Sequence, residues 1–191
     1  MENQPTRLKI LDVAEKLVRT RGFNGFSYAD IASEVGIKKA SLHHHYPTKM
    51  DLGLALVERF SSAVLGYLEQ IDQSTEKSLT KLREYSHVYE QFFHENQMCL
   101  CGMLAAEHET ISDEMQAAVG RYFEKQEEWL QNILTEGRER GEFSFAGSAA
   151  EHSRIIVTHF QGALLVAKSL NSLERIAAAT SHLIETYRNK N

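Results

Sequence analysis

Apolar residues recur every three or four positions along almost the whole chain, which predicts one helix after another. Over residues 6–21, Ile10, Ala14, Leu17 and Val18 share one face, while Lys9, Asp12, Glu15, Lys16 and Arg19 lie on the other. Gly22 stops this helix, because glycine tolerates the left-handed conformation that ends helices. Ser27, with Asp30 three residues later, resembles a capping box, and Ile31, Ala32 and Val35 form the apolar face of a second helix. Gly36 permits a tight turn, Ile37 packs inward, and a short third helix covers 39–46 before Pro47 forbids its continuation. Thr48 caps a fourth helix over 49–70, with Leu52, Leu56, Phe60 and Val64 as core positions.

The same period continues. Leu82, Tyr85, Val88, Tyr89 and Phe92 predict a helix over 79–95, and a break at 96–102 precedes a short helix at 103–110. Ser112 caps a long helix reaching residue 140 and ended by Gly141, and two more helices are predicted at 148–170 and 172–188. The fold class is therefore all-α, with about nine helices.

Composition narrows the reading. The chain has 191 residues, 42% hydrophobic and 25% charged, enough for a real core and too apolar for global disorder. No apolar run approaches the ~18 residues of a membrane span. The opening Met1–Arg7 is polar, without the apolar stretch of a signal peptide, so the expected compartment is the cytoplasm and no membrane partner is expected. Two Cys, two residues apart, make neither a disulfide framework nor a zinc site. Net charge is −5, but residues 1–50 hold 8 Lys+Arg against 5 Asp+Glu, net +3, and residues 51–191 hold 13 against 21, net −8. A small basic head on an acidic body suggests that the head alone meets a polyanion.

Residues 27–49 carry the strongest chemistry. Two short helices around a Gly turn, braced by a preceding helix, describe a helix-turn-helix. A helix of about seven residues is roughly 10 Å long and fits the ~12 Å major groove. Lys39, Ser41, His43, His44 and His45 lie on its exposed face, with Leu42 and Ile37 as anchors. Successive helical side chains point about 100° apart, so three consecutive His do not converge on one metal ion, and neither metal nor cofactor is expected.

The stretch from Ile10 to Leu56 resembles the TetR family of transcriptional regulators. The likeness rests on Gly22-Phe23, Ser27 with Ile31-Ala32, Val35-Gly36-Ile37, and Ala40-Ser41-Leu42 running through His45-Tyr46 to Thr48-Lys49-Asp51-Leu52. The resemblance implies a DNA-binding domain at 1–50 and an effector-binding and dimerisation domain at 51–191. It implies phosphate contacts from Ser27, Tyr28 and Lys49, base-facing positions at Lys39, Ala40 and Ser41, and backbone contacts from His45 and Tyr46. Thr48 and His44 complete the candidate set, and His43 stands where the family commonly has Tyr. The implied partners are a palindromic double-stranded operator, a small-molecule effector and a second copy of the chain, paired through the last two helices. Repression also comes from the resemblance.

The segment Gln97–Glu107 is the most unusual part of the body. Cys99 and Cys101 lie near a predicted helix start, where free amides stabilise a thiolate, and either can sense an electrophile or oxidant. The alternative is two buried, inert thiols. A noncovalent pocket can instead draw on Tyr89, Phe92, Phe93, Met103, Tyr122, Phe123, Trp129, His159 and Phe160, all of which also suit a plain core. In the last two helices, Ile155, Ile156, His159, Gly162, Ala163, Val166 and Leu170, and Leu173, Ile176, Thr180, Leu183, Ile184 and Tyr187, supply surfaces for pairing or for the chain's own core. No Gly-rich phosphate loop, HExxH or Gly-x-Ser-x-Gly pattern supports an enzyme. A helical adaptor without DNA binding would have no use for Lys39, Ser41 and Lys49 together.

Overall fold

A computed structural model describes residues 5–189, so most of the polar opening segment considered above lies outside the described residues. Among them, nine α-helices follow one another: α1 (Thr6–Arg21), α2 (Tyr28–Val35), α3 (Lys39–His45), α4 (Lys49–Ser74), α5 (Ser78–His94), α6 (Leu100–Ala106), α7 (Asp113–Glu139), α8 (Ala149–Leu170) and α9 (Glu174–Tyr187). The all-α class follows the apolar pattern. None of the helices among the described residues is long and apolar enough to cross a membrane.

One element departs from its predicted place. The short helix expected at 103–110 begins at Leu100, and its end tightens into a 3-10 turn at His108–Thr110. Leu100, Cys101 and Leu104 are all buried, and that burial outweighs the ~1 kcal/mol penalty of Gly102 in a helix.

The chain divides into two compact units. The first joins the described part of Met1–Ser62 to Gln97–Arg121, and the second joins Ala63–Asn96 to the described part of Tyr122–Asn191. The unit around the first three helices is therefore larger than residues 1–50 and includes α6 with both cysteines. Its core holds Ile10, Ala14, Val18, Ile31, Leu42, Leu52, Leu56 and Leu100, all without solvent exposure.

In the second unit, Tyr85, Tyr89, Phe160, Leu82, Leu130, Leu134 and Leu164 are buried together with most of the inward face of α9. The Glu142 carboxylate accepts from the Ser78 and Leu79 amides at 3.2 and 3.1 Å, supplying partners at a helix start that its own backbone cannot. Ser148 accepts from the Glu151 amide, and Glu151 reaches back to the Ser148 amide at 3.0 Å, capping α8. After α7, the Glu142 and Phe143 amides both donate to the Gly137 carbonyl, which lays the Phe143 ring over Gly137.

A Cβ at Gly137 would lie 2.2 Å from that ring. Gly137→Ala is therefore expected to lower stability by about 1–3 kcal/mol, the usual cost of overpacking, as read from the midpoint of denaturant unfolding.

Candidate nucleic-acid interface and effector region

Gly36 adopts the left-handed conformation (φ 76°, ψ 36°), and its amide and that of Ile37 both donate to the Ala32 carbonyl. This closes α2 and launches α3 at once. Leu42 is the one buried residue of α3 and fastens it to the unit. Lys39, Ala40, Ser41, His43 and His44 stay exposed, with His45 half-buried. A shallow concavity lined by Thr6, Ile37, Ala40, Ser41, His44 and His45 runs beside this face.

Several of the other candidates turn inward. Tyr28 is buried, and its hydroxyl donates to the carbonyls of Tyr46 at 2.9 Å and Thr48 at 2.5 Å. Burial pushes this phenol up to about 12, with Asp51 and Tyr46 adding to the shift. The Tyr46 ring is buried too, and its hydroxyl accepts from Arg7 Nε at 3.2 Å. The Lys49 ammonium donates to the Phe23 and Phe26 carbonyls at 2.6 and 2.5 Å and sits over both rings. Burial lowers its pKa, while Glu107 and Asp30 pull weakly the other way. Ser27 gives its amide and hydroxyl to Asp30, both at 2.7 Å, and Thr48 does the same with Asp51. His43 bonds the Pro47 carbonyl through Nδ1 and lies against the Tyr28 ring. Ser27, His43 and Thr48 stay exposed while making these bonds, and Lys39, Ala40, Ser41 and His44 complete the outward set.

Sequence reasoning missed a clamp between α6 and the end of α1. The Met98 amide donates to the Arg19 carbonyl at 3.0 Å, and Arg19 Nε returns a bond to the Met98 carbonyl at 2.8 Å. Glu107, at the far end of α6, accepts from the Phe23 amide at 2.6 Å and the Asn24 amide at 3.1 Å. Asn24 also donates to Thr110 at 2.7 Å. Glu107 sits eighty-odd residues from its partners, which are main-chain atoms, so no spacing in the sequence points to it.

Cys99 caps α6 and Cys101 lies in its first turn, both buried. The helix-start argument for a stabilised thiolate does not carry Cys101. Burial pushes that thiol up, Cys99 adds to the effect, and a hydrogen bond with Ser61 opposes it more weakly. Met103, half-buried, belongs to the same unit.

The remaining effector candidates lie in the second unit. Tyr89 stacks on Phe160 with ring centres 5.1 Å apart and meets Phe92 at 6.0 Å. Tyr122 and Phe123 contact each other at 5.1 Å, and the Trp129 indole donates to Asp72. Phe93 is half-buried beneath the Lys168 ammonium. His159 belongs to another surface: it bonds the Ala179 carbonyl and faces His182 across a groove between α8 and α9. Tyr85 and Gln126, both buried and absent from the sequence candidates, complete the aromatic cluster.

Two outcomes follow from this geometry. Glu107→Ala strands two amides and is expected to cost about 1–3 kcal/mol, with the Phe23 and Asn24 amides the first to gain hydrogen-exchange rate. Tyr28 ionises near its ordinary value of 10 when unfolded and about 12 when folded. Its contribution is fully present below pH 10 and is lost as pH rises towards 12, so alkaline unfolding should be shallower over that window in Tyr28→Phe.

Comparison with known proteins agrees with the helix-turn-helix. Residues 10–56 match the family model for bacterial regulatory proteins of the tetR family. Over 182 residues the chain is 28% identical to the HTH-type transcriptional repressor NemR of Escherichia coli K12, covering 93% of this chain and 92% of that protein. A TetR-family transcriptional regulator from Agrobacterium tumefaciens superposes with a TM-score of 0.93 at 29% identity, over 96% of this chain and 97% of that one. The reduced form of Escherichia coli NemR gives 0.86 at 25% identity, over 98% and 100%. With its helix-turn-helix built as above, the chain carries at residues 10–56 the domain of the TetR family of DNA-binding transcriptional regulators.

Proposed function

We propose that the protein is a homodimeric repressor that holds a palindromic operator and releases it when an effector binds the body. Residues 1–50 read DNA in this scheme, and residues 51–191 carry effector response and pairing. The observation that carries it is the division of labour around α3. Lys39, Ala40, Ser41 and His44 face solvent, while Tyr28, Tyr46 and Lys49 are tied into the fold beneath them. Ser and Lys side chains suit base edges and phosphates, and the exposed imidazole of His44 adds a further polar contact.

Pairing through α8 and α9 is supported by their outward faces. Ile155, Leu165, Val166 and Leu170 are about half exposed, whereas Ile156, Ile176, Leu183, Ile184 and Tyr187 are taken up by the chain's own core. The exposed set adjoins a groove with small residues at Gly162, Ala163, Ala178 and Ala179, where a second copy can approach closely. Two heads held by one dimer read two half-sites, which makes a palindrome the natural target.

A noncovalent effector is the reading favoured for release, since both thiols are buried and Cys101 is held protonated. The effector shifts the population towards a conformation that binds DNA less well. A second reading, modification of Cys99 or Cys101, draws on a different observation. Both cysteines sit on the helix clamped to the α1–α2 turn, and an adduct there has no room without moving α6. The E. coli relative crystallised in a reduced form points the same way.

Fluorescence anisotropy with the protein's own upstream DNA tests both. Lys39→Ala with Ser41→Ala should weaken binding by at least about tenfold, from the loss of one or more base or phosphate contacts. Undiminished affinity in that double variant removes the α3 assignment. A thiol-reactive quinone should leave the complex intact under the first reading. Release that is reversed by thiol, and absent from Cys99→Ser and Cys101→Ser, would establish the second.

A further inference from the structure

The second unit contains a chain of polar side chains that runs into its aromatic core. Gln161 Nε2 donates to the Tyr89 hydroxyl at 3.4 Å, the Tyr89 and Tyr85 hydroxyls lie 3.1 Å apart, and Tyr85 donates to Gln126 Oε1 at 3.0 Å. The direction of donation runs one way and stops at the Gln126 carbonyl oxygen. Gln126 is 1% exposed, and its Nε2 has no hydrogen-bond partner among the described residues.

An amide N–H buried without an acceptor is costly, and each such group in a native fold calls for an account. Tyr122, Gln126, Leu130 and Ile133 follow one another on the inward face of α7, so the amide stands on an otherwise apolar and aromatic stripe. The rings nearest to it are aromatic. Tyr85 meets Tyr89, Trp129 and Phe160 at 5.6, 5.8 and 5.7 Å between ring centres. Trp129, half-buried, also lines an open groove with Leu65, Leu68, Glu69, Lys125, Glu128 and Asn132, so its indole touches both that groove and the Tyr85 ring. Its tie is a single bond from Nε1 to Asp72 at 2.9 Å.

We propose that Gln126 is the specificity-determining donor of an effector subsite, and that its ligand is a neutral aromatic compound bearing a carbonyl acceptor. The ring of the ligand packs among Tyr85, Trp129 and Phe160, displacing the indole towards the groove, and its carbonyl accepts from Gln126 Nε2. The neighbouring cation, Lys81, is already paired with Asp72 at 2.8 Å, so a carboxylate among these rings would be buried without a counter-ion of its own. A donor built to meet an acceptor rejects the analogue lacking one, because the amide then stays unpaired. This inference rests on the noncovalent reading above and supplies its ligand class.

Trp129 is the sole tryptophan of the chain, so its fluorescence reports the cluster directly. The probes are acetophenone and α-methylstyrene, which share a shape and differ in the carbonyl. Wild-type protein should be quenched by both, with the ketone bound at least about tenfold tighter, and Gln126→Leu should lose that preference. Gln126→Leu and Gln126→Met remove the unpaired amide N–H together with the acceptor of the Tyr85 hydroxyl, so a cooperative melt serves only to show that each variant folds. Equal affinity for the two probes in wild type, no quenching by the ketone, or a preference that survives Gln126→Leu would each overturn the proposal. The titration involves no DNA, so failure to find an operator would count against the regulatory scheme and leave the fluorescence result to decide the subsite.

Discussion

Glu107 holds the turn from which the helix-turn-helix departs. Its carboxylate receives two successive amides, from Phe23 and Asn24, in the turn that sets α2 relative to α1. Charged acceptors make the stronger class of hydrogen bond, and these two are made at a place where the backbone has no helical partner of its own. Gly22 just before them has φ 82° and leaves room for the carboxylate, which a Cβ there would approach to 2.9 Å. The reciprocal pair between Arg19 and Met98 secures the other end of α6. The cysteine-bearing helix and the helix-turn-helix thus share one compact unit, and displacement of α6 bears on the turn that orients α2 and α3.

The same economy appears around α3. Seven residues cannot hold a helix in place by propensity, since isolated helices of that length are marginal at best. Leu42 anchors it from one side, and the Tyr28 hydroxyl fixes the exit by binding the carbonyls of Tyr46 and Thr48. Asp51 then caps α4 through Thr48. A side chain that looks suited to phosphate can be worth more as a brace, because a misplaced reading helix loses every contact together.

Much of the fold was legible because amphipathic period and capping residues act locally. Ile10, Ala14, Leu17 and Val18 are buried as their spacing requires, and Leu52, Leu56, Phe60 and Val64 likewise. The helix-turn-helix was legible for the same reason, with Gly36 in the left-handed conformation its position demands. The start of α6 was misplaced because Gly102 reads as a breaker, whereas burial of Leu100, Cys101 and Leu104 decides the matter. The inward turn of Tyr28 and Lys49 was hidden because their partners are carbonyls, which every residue possesses. Gln126 left one trace: a polar residue four places after Tyr122 and four before Leu130, on a stripe otherwise apolar.

The position of Lys49 has a consequence for how the protein tolerates ionic strength. Cations condensed on DNA are set free only when a protein charge takes their place beside phosphate, and that release makes binding fall as salt rises. An ammonium already shared between two carbonyls and two ring faces displaces none of them. A lysine held in this way therefore adds less to the salt dependence of any DNA complex than the exposed Lys38 or Lys39 would.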